Sequence, residues 1–190
     1  GGRAIARVLF GDKNPEGRMP LTFYREADEL PEFTDYSMKG RTYRYMKSEA
    51  LYPFGYGLSY TSFAYADAKL STDTVTKDGA EITVTVTNTG IRAGVETVQV
   101  YVKADREGTP NAQLKGIAKV ALEAGEQKQV TIKLPVNAFG LYDEEGVCRV
   151  QKGRYLVSIG TCQPESRSEK LAGQKAIVLE MHAEEELYGI

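Results

Sequence analysis

The sequence contains no tryptophan, one histidine and two cysteines, and each scarcity removes a class of chemistry. His182 is the only histidine, so no zinc site and no Ser-His-Asp triad is assembled around it. Cys148 and Cys162 fall in or beside expected strands and read as two buried free thiols, with a disulfide as the alternative. No run reaches the roughly 18 apolar residues of a membrane-spanning helix, and no signal peptide is visible. The chain opens on Gly1-Gly2 rather than Met, which reads as a processed product or an excised piece and leaves cytoplasm or secretion equally open. An excess of one charge sign is also missing. With 24 basic and 26 acidic residues the net charge is −2, so nothing argues for nucleic acid or an anionic membrane as partner. A recognised substrate is expected to be neutral, and no cofactor is implied.

What is present fits an ordinary soluble globular chain. The 190 residues, 42% hydrophobic and 26% charged, allow one or two domains with a sizeable core. Residues 3–10 carry Ala4, Ile5, Val8 and Leu9 at helical spacing, and Gly11 is a stop signal. Asn14-Pro15-Glu16-Gly17 is turn chemistry, Met19 to Phe23 reads as a short extended piece, and residues 25–39 read as loop. From about Phe63 the period changes to two. Ile82, Val84 and Val86 alternate with Thr83, Thr85 and Thr87. Val98, Val100 and Val102 alternate with Gln99, Tyr101 and Lys103, and Val130, Ile132 and Leu134 with Gln129, Thr131 and Lys133. This is the pattern of half-buried antiparallel strands. Further strands are expected at 64–70, 114–122, 147–151, 154–160 and 175–181, and the polar stretch 165–175 reads as loop. Many short strands separated by turn signals predict an immunoglobulin-like β-sandwich. Because the Cys…Trp…Cys pattern of antibodies is missing, the fibronectin type III-like variant fits better.

Between helix and strands lies an aromatic connector. Tyr43-Arg44-Tyr45 is followed by Leu51-Tyr52-Pro53-Phe54-Gly55-Tyr56-Gly57-Leu58-Ser59-Tyr60-Thr61-Ser62-Phe63. Each ring buries roughly 150–250 Å² when enclosed, so this segment needs a surface to lie on. Gly55 and Gly57 allow tight bends or a close approach of backbone, but Gly55-x-Gly57 lacks the remaining glycines and the helix of a phosphate cradle. In Lys39-Gly40-Arg41-Thr42-Tyr43-Arg44-Tyr45, strand alternation would place Arg41, Tyr43 and Tyr45 on one face. Arginine can stack on tyrosine and donate in a fork to a carboxylate or to sugar hydroxyls. Two readings follow: a sugar-facing segment, or an arginine-tyrosine clasp between domains.

Glycoside hydrolysis needs two carboxyl groups about 5–5.5 Å or 6.5–9.5 Å apart. The available clusters are Asp28-Glu29 in a loop, Asp143-Glu144-Glu145 in an expected hairpin turn and Glu184-Glu185-Glu186 near the end of the chain. None has the apolar flanks that would raise a carboxyl pKa for acid catalysis, so all three read as structural or solvated.

Several stretches together resemble glycoside hydrolase family 3. Gly1-Gly2-Arg3-Ala4-Ile5-Ala6-Arg7-Val8-Leu9-Phe10-Gly11-Asp12-Lys13-Asn14-Pro15-Glu16-Gly17-Arg18-Met19-Pro20-Leu21-Thr22-Phe23 resembles the end of that family's α/β sandwich domain. Asp35-Tyr36 with Gly40 to Tyr45 is similar to its connecting loop, and Leu51 to Phe63 to its most recognisable C-terminal motif. Val84 to Gly94, Leu122 to Glu126 and Val150 to Gly160 resemble its fibronectin type III-like domain. The resemblance spans essentially residues 1–165. It implies a mainly β chain: the tail of an α/β sandwich domain plus connector over 1–62, and a β-sandwich over 63–190. It implies a parent with β-glucosidase-like retaining chemistry, its barrel and sandwich domains as partners and a glycoside or oligosaccharide as the parent's substrate. No position matches the family's nucleophile or acid/base motif, so no catalytic residue is carried over and the chain alone is expected to be inactive. Arg41, Tyr43 and Arg44 are the candidates for contact with substrate or barrel. A carbohydrate-binding module and a complementing subunit of a split glycosidase are the alternatives.

Overall fold

Period-two alternation produces strands where it was strongest. The computed structural model describes residues 1–188. Its strands are β1 (Phe63–Leu70), β2 (Ala80–Asn88), β3 (Gly94–Ala104), β4 (Gln113–Leu122), β5 (Gln127–Leu134), β6 (Leu141–Tyr142), β7 (Cys148–Val150), β8 (Gly153–Gly160), β9 (Ile177–Ala183) and β10 (Leu187–Tyr188). One sheet has the order β1-β2-β5, the second β4-β3-β8-β9, and a small third sheet β10-β7-β6. All pairs are antiparallel, and β2 runs against β5 from Ala80 opposite Leu134 to Thr87 opposite Gln127 without a register shift. Ile82, Val84 and Val86 of the first sheet share one core with Val98, Val100, Val157 and Ile159 of the second, all fully buried. The chain is therefore mainly β, with the antiparallel sandwich expected from the sequence.

Three local expectations are corrected. The stretch 165–175 is not loop: it contains helix α3 (Ser166–Ala172), closed by Gly173 at φ +68° in the left-handed form that glycine tolerates best. The stretch 41–45 is not extended: Thr42–Tyr45 is a single helical turn, α2, entered through an extended Arg41 and Thr42 at φ +54°. Arg41, Tyr43 and Tyr45 thus share no strand face. The third correction concerns β3, which is buried on both faces rather than one. Thr97, Gln99 and Tyr101 are no more than 2% exposed, like the valines between them.

The N-terminal segment supplies that second cover. Helix α1 (Gly2–Leu9) forms where helical spacing predicted it, followed by Gly11 at φ +80°. The extended piece 19–23 then pairs with the connector. Met19 N donates to Tyr56 O at 2.9 Å, Gly55 N to Met19 O at 2.8 Å, Phe23 N to Tyr52 O at 3.0 Å and Leu51 N to Phe23 O at 2.8 Å. This paired strip lies against the outer face of β3. Both cysteines are buried free thiols. No helix among the described residues is long and apolar enough to cross a membrane.

Candidate functional site

The junction between connector and sandwich concentrates the chain's buried polar chemistry. Gly55 lies directly against the sheet. Its carbonyl accepts from Gln99 Nε2 at 3.0 Å, and Gln99 Oε1 accepts from the Tyr101 hydroxyl at 2.6 Å. A Cβ at Gly55 would stand 2.3 Å from Gln99 Oε1, and its φ is +79°, so glycine is required twice over. Burial pushes the Tyr101 phenol far above its ordinary range, which keeps it a neutral donor.

Tyr43 is the centre of an aromatic clasp. Its ring stacks on Phe54 with centroids 4.1 Å apart, and both rings meet Tyr101 edge-on at 6.5 Å. Its hydroxyl accepts from Leu114 N at 3.2 Å, and its carbonyl accepts from Asn111 Nδ2 at 3.0 Å and Gln163 Nε2 at 3.2 Å. Arg41 is bound within its own loop: Nε donates to Ser37 O at 2.8 Å, and Nη2 donates to the Asp35 carbonyl. The Asp35 carboxyl, held below its usual range by bonds from Ser37, braces the same turn. Arg44 presents its side chain to a groove of about 600 Å³, shared with Tyr45, Arg106, Lys115 and Tyr142. Burial and then the Arg44 charge push the Lys115 ammonium below its usual pKa. The three sequence candidates therefore serve three places: Tyr43 the clasp, Arg41 a loop brace, Arg44 an open groove.

The acidic clusters are ordinary structure. Asp143 Oδ1 accepts from Glu145 N at 3.0 Å and Val147 N at 2.9 Å, which closes the hairpin turn and lowers its pKa. Glu184, Glu185 and Glu186 are exposed.

Sequence reasoning missed a second attachment, between the N-terminal segment and the sandwich. Arg18 Nη2 donates to Glu96 Oε2 at 2.5 Å, and Glu96 Oε1 accepts from the Tyr65 hydroxyl at 2.7 Å. The side chains are 10% and 0% exposed. Burial raises the Glu96 pKa against the pull of Arg18 and Tyr65, and burial with the neighbouring carboxylate raises Tyr65 strongly. The partners lie 78 residues apart, so no local spacing could pair them. Beside them is a cavity of about 390 Å³ bordered by Arg18, Tyr56, Gly57, Glu96, Thr161 and the end of α3.

Comparison with known proteins finds two family models along the chain. Residues 1–60 match the model of the glycosyl hydrolase family 3 C-terminal domain, and residues 96–163 that of the fibronectin type III-like domain. The chain is 42% identical over 176 residues to a xylan 1,4-beta-xylosidase of Xylanibacter ruminicola, covering 90% of this chain and 20% of that protein. It is 38% identical over 175 residues to a periplasmic beta-glucosidase of Salmonella typhimurium, covering 84% of this chain and 23% of the other. The crystal structure of a beta-glucosidase from Kluyveromyces marxianus superposes with a TM-score of 0.81 at 36% identity, over 98% of this chain and 23% of that one. Beta-glucosidase 3B from Thermotoga neapolitana, solved with alpha-D-glucose, gives a TM-score of 0.83 at 32% identity, over 98% and 27%. This chain thus spans about a fifth to a quarter of its relatives' length. With both family models matched along one continuous fold, the chain is a C-terminal segment of the glycoside hydrolase family 3 kind, made of family 3 C-terminal-domain sequence joined to a fibronectin type III-like domain.

Proposed function

We propose that this chain is the non-catalytic C-terminal part of a retaining β-glucosidase-type glycoside hydrolase, and that it stabilises the catalytic domains and lines the rim of their active site. The observation that carries this reading is the exposed apolar face of the N-terminal segment. Ile5, Leu9 and Phe10 of α1 and its end are 61%, 73% and 87% exposed, and Phe33 and Tyr36 are 90% and 87% exposed. A patch of this kind fits a partner surface rather than water. It is carried on a strip bonded to the sandwich, as expected of a segment that fastens one domain to the next. In this reading residues 1–62 belong with the parent's sandwich domain and residues 63–190 form the fibronectin-like domain. The parent's barrel and sandwich domains are the partners, and a glycoside is the parent's substrate. Tyr43 anchors the junction, while Arg41 and Arg44 stand at its outer side, where barrel or substrate would meet them. The cavity beside Arg18 and the groove beside Arg44 each have one carboxylate in their walls, Glu96 and Glu107, where the hydrolytic mechanism uses two.

The test is a chimera. In the Kluyveromyces marxianus enzyme the matching C-terminal part is either deleted or replaced by this chain, and nitrophenyl β-glucoside hydrolysis is followed. The expected result is loss of activity on deletion and its recovery in the chimera, with no turnover by this chain alone. Turnover by the isolated chain that a single carboxylate substitution abolishes would overturn the reading.

A further inference from the structure

Three cations without a counter-charge meet in one groove. Arg44 comes from α2, Arg106 from the loop after β3 and Lys115 from β4, and all three line the groove of about 600 Å³. None of them forms an ion pair among the described residues. Elsewhere on the surface the fold matches its cations: Arg154 faces Asp105 and Glu180, and Arg25 and Lys170 share Glu49. Glu107 is the one carboxylate in the groove wall, so three cations against one anion leave two positive charges in excess. The chain as a whole has a net charge of −2, so this concentration runs against its average. Lys115 is half-buried, and burial together with the Arg44 charge works against its ammonium. Like charges held together out of bulk water are unfavourable, and a bound anion relieves them.

The wall chemistry narrows the ligand. Guanidinium and ammonium groups only donate, so the ligand must bring negatively charged acceptors. Two charges in excess match a phosphate dianion better than a single carboxylate, and arginine forks with a lysine point charge are the usual means of holding phosphate. The volume lies within the roughly 300–1,000 Å³ of small-molecule sites, more than a bare phosphate needs. Tyr45 and Tyr142 supply the rest of the fit. They are 37% and 75% exposed, and neither stacks on another ring among the described residues, so their rings are open to an organic group. We propose that this groove binds a small phosphate monoester carrying a planar ring, its phosphate among Arg44, Arg106 and Lys115 and its ring against the tyrosine wall. The site does not rest on the structural role assigned to the chain above, because its test reads binding in this chain alone.

The experiment is a titration of the ¹⁵N-labelled full chain at about pH 7.5, where a phosphate monoester is a dianion. Phenyl phosphate, inorganic phosphate, sodium benzoate and benzyl alcohol are added in separate arms, and amide shifts are followed. Phenyl phosphate is expected to give saturable shifts at Gly108, Gln113, Lys115 and Tyr142, with Kd on the order of 1 mM. Inorganic phosphate, which lacks the ring, and benzoate, which lacks the second charge, should each bind about tenfold more weakly, and benzyl alcohol should give no shift. Lys115→Met removes one charge and keeps the stem, and should weaken phenyl phosphate about tenfold. Arg44→Gln, at an exposed side chain, should do the same and keeps the test decisive if Lys115→Met does not fold. Lys77→Gln, outside the groove, should leave the affinity unchanged. Four results would overturn the proposal: no saturable shift by about 100 mM phenyl phosphate; shifts mapping elsewhere; the same affinity in Arg44→Gln as in the wild type, or the same loss in Lys77→Gln; or benzoate or benzyl alcohol binding as tightly as phenyl phosphate.

Discussion

The sandwich and the segment before it are stabilised in opposite ways. From Phe63 onward, apolar side chains are sealed in one core, with Ile82, Val84, Val98, Val100 and Val157 all fully buried. Before it, α1 has no buried residue at all, and the segment's large apolar side chains mostly face outward. The sandwich is held by burial, at about 25 cal/mol per Å² of apolar surface removed from water. The segment is held by a few specific attachments: the Tyr43–Phe54–Tyr101 clasp, the Gln99–Gly55 bond and the Arg18–Glu96 pair. Interactions of that kind fix position more than they supply bulk stability. This suits a piece whose remaining surface is available to another domain.

Cutting the attachments should separate the two regions. The largest effect is expected for Arg18→Met, which leaves Glu96 buried beside Tyr65 without its cation and should cost about 3–5 kcal/mol in denaturant unfolding. Next comes Tyr43→Ala, expected to cost about 2–4 kcal/mol through lost ring packing. Tyr43→Phe removes only the acceptor for Leu114 N and should cost about 0.5–1.5 kcal/mol. If both Tyr43 variants cost the same, the clasp works through the hydroxyl rather than the ring. At the small end, Leu9→Glu on α1 should change stability by no more than about 0.5 kcal/mol, because Leu9 is 73% exposed.

A pH series sharpens the same contrast. Burial raises the Glu96 pKa above the ordinary carboxylate value, so the folded state takes up this proton more readily than the unfolded chain. The associated stabilisation is fully present below the unfolded value of about 4.3 and is lost as pH rises through the raised value. Comparing Tm against pH for the wild type and Glu96→Gln should show that segment of the profile flattened in the variant. An identical slope in both would place the titration elsewhere.

The sequence displayed the sandwich more openly than the junction, for physical reasons. Strands β2 and β5 carry their pattern in plain alternation, because one side faces a core and the other faces water. Strand β3 misled, since alternation reports side-chain type and cannot show that Gln99 and Tyr101 are covered by a distant connector. Thr42 to Tyr45 curls into a helical turn whose Tyr43 carbonyl accepts from Asn111 and Gln163, contacts set by tertiary structure. The short helix α3 was hidden by polar composition, although Gly173 was its available stop signal. The aromatic density of the connector did announce a segment pressed on a surface. Arg18 announced nothing, because one arginine after a turn has no pattern until Glu96 folds against it.

Hydrogen exchange tests the central claim, that the N-terminal strip is fastened to the outer face of the sandwich, most directly. The amides of Met19, Phe23, Leu51 and Gly55 donate across the strip, and those of β2 and β3 lie in the ladder of the sandwich. The account predicts clear protection at those four amides in the wild type. Tyr43→Ala should remove that protection while β2 and β3 keep theirs, and the amides of α1 should exchange early in both. Exchange of Met19, Phe23, Leu51 and Gly55 at the free-chain rate in the wild type, beside a fully protected β3, would contradict it.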